Sequence, residues 1–219
     1  MECQDSHMPL HLGITNKKQP THAKMIDPKK VTNYKRTKSE LQEFLLFCIC
    51  VAGKKSTIEA PKLDRFLNSL KKRFKSEEPF ALIESAKEDG SLWDEMQEHR
   101  IAPYGQRYNS FVDVISKLDA YNLEESTLDQ LQSIRGISTK TSRFFLTHSV
   151  EKFDDPVLDT HILKFLTDFG YKDVPKSTPQ NPKVYERFSK LFRSIARFEG
   201  KSVADFDLEI WTKYSYGNA

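Results

Sequence analysis

Apolar residues in this chain recur at spacings of three and four, segment after segment, and no stretch alternates apolar with polar for long enough to make a convincing strand. In APKLDRFLNSLKKRF the side chains of Leu63, Phe66, Leu67, Leu70 and Phe74 fall on one helical face. In YNSFVDVISKLDAY, Phe111, Val114, Ile115 and Leu118 make another stripe. SELQEFLLFCICVA opens with Ser39 three residues before Gln42, a capping-box pattern, and STLDQLQSI again starts on a Ser/Thr cap. THILKFLTDFG closes on Gly170, PKVYERFSKLFRSIARF closes on Gly200, and SVADFDLEIWTKYS supplies a last helix. KDVPKSTPQNP, with three prolines, reads as a loop. The expectation is an all-α chain with short connections, and the lack of any repeat of about 20 to 50 residues argues against a solenoid.

At 219 residues the chain is long enough for one compact domain or two small lobes sharing a core. Its longest apolar run, Phe44 to Ala52, is far below the roughly 20 residues that span a bilayer, so no membrane segment is expected. The start MECQDSHMPLHLG lacks the basic and apolar regions of a signal peptide. Cys3, Cys48 and Cys50 are odd in number and two lie within an apolar run, which suggests a reduced, intracellular protein with core thiols and no metal site. Three cysteines are also too few for a four-cysteine iron–sulfur cluster. Residues 1 to 38 carry eight Lys/Arg against three Asp/Glu, leaving the remainder close to neutral. Such a basic tail fits either a nucleic-acid arm or a merely soluble segment, and residues 1 to about 26 read as largely disordered.

The most informative stretch is LQSIRGISTKTSRFFLTHS. Two helical patterns are separated only by RGIST, the signature of a helix-hairpin-helix over about 127–149. Gly136 supplies the φ > 0 that a sharp reversal needs, and Ser138 or Thr139 can cap the helix carrying Lys140. The N–H groups of such a first turn form an anion site, for which a DNA phosphate is the natural ligand; a plain αα-corner is the alternative. Asp159, in LDTHIL, reads as an N-cap for the helix holding Ile162, Leu163 and Phe165.

IRGISTKTSRFF followed by DDPVLDTHILKFL resembles the helix-hairpin-helix DNA glycosylase superfamily, and the likeness runs over roughly residues 37 to 216. Lys140 falls on that family's catalytic lysine and Asp159, nineteen residues on, falls on its catalytic aspartate. The spacing is that of the 8-oxoguanine branch, whose small members lack an iron–sulfur cluster. The resemblance implies two helical lobes around a DNA cleft. A basic, partly disordered segment 1–36 has an end that would join the second lobe, 37–151 is a helical barrel ending in the hairpin, and 152–219 is the second lobe. It further implies an intracellular monomer, in cytoplasm, nucleoid or nucleus, acting on double-stranded DNA that contains a damaged base. The expected activity is a bifunctional glycosylase and AP lyase for an oxidised purine. Lys140 would form a Schiff base with C1′ and allow β-elimination, while Asp159 stabilises the developing positive charge. A lysine amine attacks only when neutral, and an ordinary pKa of ~10.4 leaves little of that form at pH 7.

Other positions are less tightly defined. His161 would contact backbone or phosphate at its helix start, Lys54 and Lys55 would fill the gap left by an extruded base or touch phosphate, and Arg107 and Tyr104 would reach phosphate or the opposite base. Phe144 and Phe145 read as hairpin core packing in preference to base stacking. Ser138 stands where the family's hairpin has a second glycine; were φ > 0 required there, it would cost about 1 kcal/mol and reshape the phosphate site. No cofactor is expected, a monovalent cation at the hairpin being the one ion left open. Two other readings remain: an oxidised-pyrimidine glycosylase of the endonuclease III type, and a non-catalytic helix-hairpin-helix DNA-binding module.

Overall fold

In a computed structural model, which describes residues 25–118 and 122–216, all regular structure is helical. The disorder expected near the N-terminus and the last three residues of YNSFVDVISKLDAY lie outside the described residues. The chain runs through α1 (Lys38–Cys50), α2 (Ser56–Phe74), α3 (Pro79–Glu88), α4 (Leu92–Glu98), α5 (Tyr104–Leu118), α6 (Leu128–Gln132) and α7 (Thr139–Ser149). It then passes through α8 (Thr160–Asp168), α9 (Pro182–Phe198) and α10 (Val203–Tyr216). Among the described residues no helix is long and apolar enough to cross a membrane.

Two hydrophobic cores account for the two lobes. The first gathers Phe44 and Phe47 of α1, Phe66 of α2, Phe80 of α3, Phe111 of α5 and Phe145 of α7, all essentially without exposed surface. Each buried phenylalanine contributes on the order of 2 kcal/mol, so the hairpin helix α7 is anchored through its inner face rather than left as a surface motif. The second core packs Ile162, Phe165 and Leu166 of α8 against Phe188 and Phe192 of α9 and Phe206 of α10. Its aromatic rings stand 5.0 to 6.2 Å apart.

Helix α1 is the hub of the first lobe: every residue from Leu41 to Cys50 is buried. Its capping box forms two residues earlier than the sequence pattern suggests, because Thr37 and Glu40 exchange the reciprocal bonds. Ser39 instead donates to the Glu77 carbonyl. Cys48 and Cys50 are core thiols, and burial pushes Cys50 up to about 12. Helices α3 and α4 fall where the sequence pattern singles out no element; Pro79 opens α3 at its first turn, where a missing N–H is harmless.

The end of the N-terminal segment packs on the first core and on the end of α7. Val31 belongs to the first core, and Asn33 N–H donates to the His148 carbonyl at the end of α7. Arg36 donates to the carbonyls of Asn33 and His148 and lies 3.8 Å over the Phe44 ring. This segment therefore contributes to the first core.

Candidate active site

The hairpin is held from behind by α5. Asp113 accepts from the Arg135 backbone N–H at 2.9 Å, from the Arg135 guanidinium at 3.2 Å and from Lys117 at 3.1 Å. The Arg135 N–H first, then these two cations, hold its carboxyl down to about 2, so it is charged whenever the protein works. Gly136 has φ +83°, and a Cβ there would stand 2.2 Å from the buried Ser110 Oγ. The backbone hand therefore requires glycine, and an added Cβ would also turn the Ser110 hydroxyl away from the Gln106 carbonyl. Gly136→Ala is expected to destabilise the fold by about 2 to 4 kcal/mol, and thermal denaturation would show it. A Tm within two degrees of the parent would mean that the turn relaxes freely.

Beyond the turn, Ser138 is the N-cap of α7, and its Oγ accepts from Thr141 N–H at 3.2 Å. Its φ is −86°, ordinary extended backbone, so the strain expected from a serine at the second glycine position is absent. Thr139 donates to Gln132 of α6 at 3.3 Å, tying the two helices of the hairpin together.

Lys140, in the first turn of α7, points toward the start of α8. Its Nζ lies 3.4 Å from Asp159 Oδ2, with the lysine side chain 43% exposed and the aspartate 4%. The two carboxylate oxygens divide their work. Oδ1 accepts from His161 N–H and Ile162 N–H at 2.8 and 3.0 Å, capping α8, while Oδ2 faces the amine. Capping and proximity to the lysine thus coexist in one side chain.

Asp159 is delivered by a backbone rail that the sequence did not announce. Asp155 binds Arg143 at 2.7 Å and Arg193 at 3.2 Å, and its carbonyl accepts from Thr147. Tyr185 donates its hydroxyl to the Pro156 carbonyl at 2.7 Å and accepts from Leu158 N–H at 3.1 Å. Val157 N–H donates to Asp207 of α10 at 2.9 Å. Four consecutive residues before Asp159 are therefore fixed by α7, α9 and α10, which sets the carboxylate without reliance on loop stiffness.

Lys140 and Asp159 line a cavity of about 570 Å³, within the range of single small-ligand sites. Phe47, Val51, Phe144 and Trp211 form apolar walls, and Lys54 and Lys55 stand exposed at its rim, in the turn before α2. His161 lines it too, its ring edge-on to Trp211 at 6.3 Å. A more open hollow on α9, lined by Tyr171, Lys183, Glu186 and Arg187, contains none of these residues. Phe145 is core as expected, whereas Phe144 packs on Phe44 and also reaches the cavity.

Arg107 is not brought to the site. It is buried, and its guanidinium donates to the Ile49, Cys50 and Ala52 carbonyls at the end of α1. Helix ends leave carbonyls without partners, and α1 has no basic residue in its last turn to meet them. Arg107 therefore supports the turn bearing Lys54 and Lys55 instead of touching a phosphate. Tyr104 packs against Trp93 at 6.3 Å and does not line the cavity. Among the described residues, Glu95, Glu98 and His99 could hold a metal ion, but they lie around α4 and line no part of the cavity. Glu95 already accepts from Ser69 and sits 3.7 Å from Arg73.

An all-helical, two-lobed frame with a hairpin lysine facing a helix-capping aspartate defines the helix-hairpin-helix DNA glycosylase fold. The family model described as 8-oxoguanine DNA glycosylase matches residues 23–200, and the chain belongs to that family. An 8-oxoguanine DNA glycosylase/AP lyase of Saccharolobus solfataricus is 32% identical over 85 residues; the match spans 39% of this chain and 41% of that protein. The Thermotoga maritima 8-oxoguanine DNA glycosylase is similar in structure, with TM-score 0.59 and 21% identity over 84% of this chain and 85% of that one. The Methanocaldococcus jannaschii 8-oxoguanine glycosylase/lyase, solved with a 15mer DNA containing 8-oxoguanine, superposes with TM-score 0.60. It is 18% identical, over 86% of this chain and 87% of that one.

Proposed function

We propose that this protein excises 8-oxoguanine from double-stranded DNA and then cleaves the strand as an AP lyase, acting as an intracellular monomer. The observation that carries the reading is Lys140 Nζ 3.4 Å from the Oδ2 of a capping, nearly buried Asp159, at the wall of a nucleotide-sized cavity. A base that must be attacked at its sugar is inaccessible while stacked, so the nucleotide is extruded into that cavity. Lys54 and Lys55 at the rim, and the hairpin turn and start of α7 at Gly136, Ser138 and Thr139, take the flanking phosphates.

Closure around the nucleotide removes water from Lys140, which favours its neutral amine. The amine nitrogen bonds to C1′ as the C1′–N bond breaks; the electron pair leaves with the base, which takes up a proton. Asp159 stabilises the positive charge on the sugar and is placed to relay the lysine's proton. Ring opening gives an imine, whose positive nitrogen acidifies the C2′ hydrogen. Loss of that proton expels the 3′ phosphate and cuts the strand. Every group in this sequence belongs to the chain or the DNA, so no cofactor enters.

Borohydride trapping tests the reading with duplexes carrying 8-oxoguanine, thymine glycol or an abasic site. The expected result is a covalent adduct with 8-oxoguanine and abasic DNA, much weaker with thymine glycol. No adduct with any duplex would sink the lyase reading, and an adduct with thymine glycol alone would move the substrate to oxidised pyrimidines.

A further inference from the structure

The floor of the same cavity holds a second pair of ionisable side chains, which takes no part in bond breaking. His148, two turns beyond Lys140 on α7, is 1% exposed, and its Nε2 lies 3.7 Å from Asp207 Oδ2. Its Nδ1 is hydrogen-bonded to Thr32 Oγ1 at 2.9 Å, and its ring stands edge-on to Phe144 at 5.2 Å. Its two ring nitrogens thus face two oxygens, the Thr32 hydroxyl and the Asp207 carboxylate. Asp207 is itself almost fully buried and spends its other oxygen on Val157 N–H, two residues before Asp159. Both His148 and Asp207 line the cavity with Lys140 and Asp159.

Resting on the Schiff-base reading of Lys140, we propose that His148 is a positioning residue that carries a positive charge against Asp207. The floor then presents only the net negative charge of Asp159 to the lysine amine. Without that cation two buried carboxylates would act on Lys140, and each holds the proton that the amine must lose. Burial pushes the Asp207 carboxyl up, and Asp159 adds to this, while the His148 hydrogen bond and charge oppose both. The other titratable neighbours do not replace the imidazolium. Arg36 donates to the His148 carbonyl, not to Asp207. Cys48 of α1, which lines the cavity, is kept neutral by burial, as is Tyr34, whose hydroxyl meets the Thr147 carbonyl. Glu151, Asp154 and Asp205 act on Tyr34.

The test is the pH dependence of borohydride trapping on an abasic duplex for the parent, His148→Gln, Asp207→Asn and the double variant. The parent floor counts one net negative charge, from two carboxylates and one imidazolium. H148Q leaves two, and its acid limb should move to higher pH by about one unit, the effect of one unscreened charge in a partly buried site. D207N leaves none while the imidazolium persists, so its limb should move to lower pH, and the double variant returns to one, so its limb should stay with the parent. A uniform loss of trapping in H148Q without movement of the limb would overturn the proposal, as would a limb that stays displaced in the double variant. Should H148Q fail to fold, H148N carries the same expectation. An absence of trapping in the parent itself would instead reject the lysine reading, so the two failures are distinguishable.

Discussion

Lys140→Gln should form no borohydride-trapped adduct with either 8-oxoguanine or abasic DNA, and base excision should fall on the order of a thousandfold or more. The size follows from chemistry: an amide nitrogen cannot attack C1′ or form an imine, and among the described residues Lys140 is the lysine paired with Asp159. Lys54 and Lys55 stand at the cavity rim, and Lys140 is the cation paired with Asp159 at 3.4 Å. Stability should change little, within about 1 kcal/mol, because a half-exposed ion pair is worth little and Asp159 keeps its two backbone donors. Melting and DNA affinity measured beside trapping separate loss of chemistry from loss of fold. Lys140→Arg sharpens the comparison, since guanidinium keeps the positive charge for phosphate but is not a nucleophile at neutral pH. An undiminished adduct in either variant would remove Lys140 from the reaction.

What the sequence made legible here is local. Gly136 announces a positive φ, Ser138 and Thr127 announce caps, and Asp159 announces the start of α8; each requires only a few neighbouring residues, and each is found. The amphipathic stripes likewise foretell which faces are buried, because helical periodicity is a property of a single segment. Ser138 shows the limit of reasoning by motif. Matched against a glycine it suggests strain, yet as a cap it wants the extended backbone it adopts, and its own partner, Thr141, lies three residues on.

The supports of the site are not local, which is why they escaped. His148 meets Thr32 across 116 residues, and Val157 meets Asp207 across 50. Tyr185 of α9, and Ser189 of the same helix through Asp155, fix the approach to Asp159, and nothing in their immediate sequence distinguishes them from surface residues. Arg107 is the instructive misreading. An arginine near a loop suggests phosphate, but α1 ends without a basic residue or a C-terminal glycine cap, and its carbonyls must find donors somewhere. Counting unsatisfied helix ends would have pointed to a buried cation.

Asp159 can be divided experimentally because its two oxygens do different things. Asn is as good an N-cap as Asp, so Asp159→Asn should keep the bonds from His161 and Ile162 N–H and hold the melting temperature close to the parent's. It removes the negative charge facing Lys140, and excision should fall by about a hundredfold to a thousandfold, the scale of losing one preorganised electrostatic contact. Asp159→Ala loses both functions, and should add about 1 kcal/mol of destabilisation to a similar loss of turnover. DNA affinity should survive in D159N, since the carboxylate repels phosphates if it acts on them at all. Turnover unchanged in D159N but lost in D159A would show that the residue serves only to cap α8. The lysine would then owe its reactivity to desolvation alone, because the rail of Asp155, Pro156, Val157 and Leu158 would deliver a cap and not a charge.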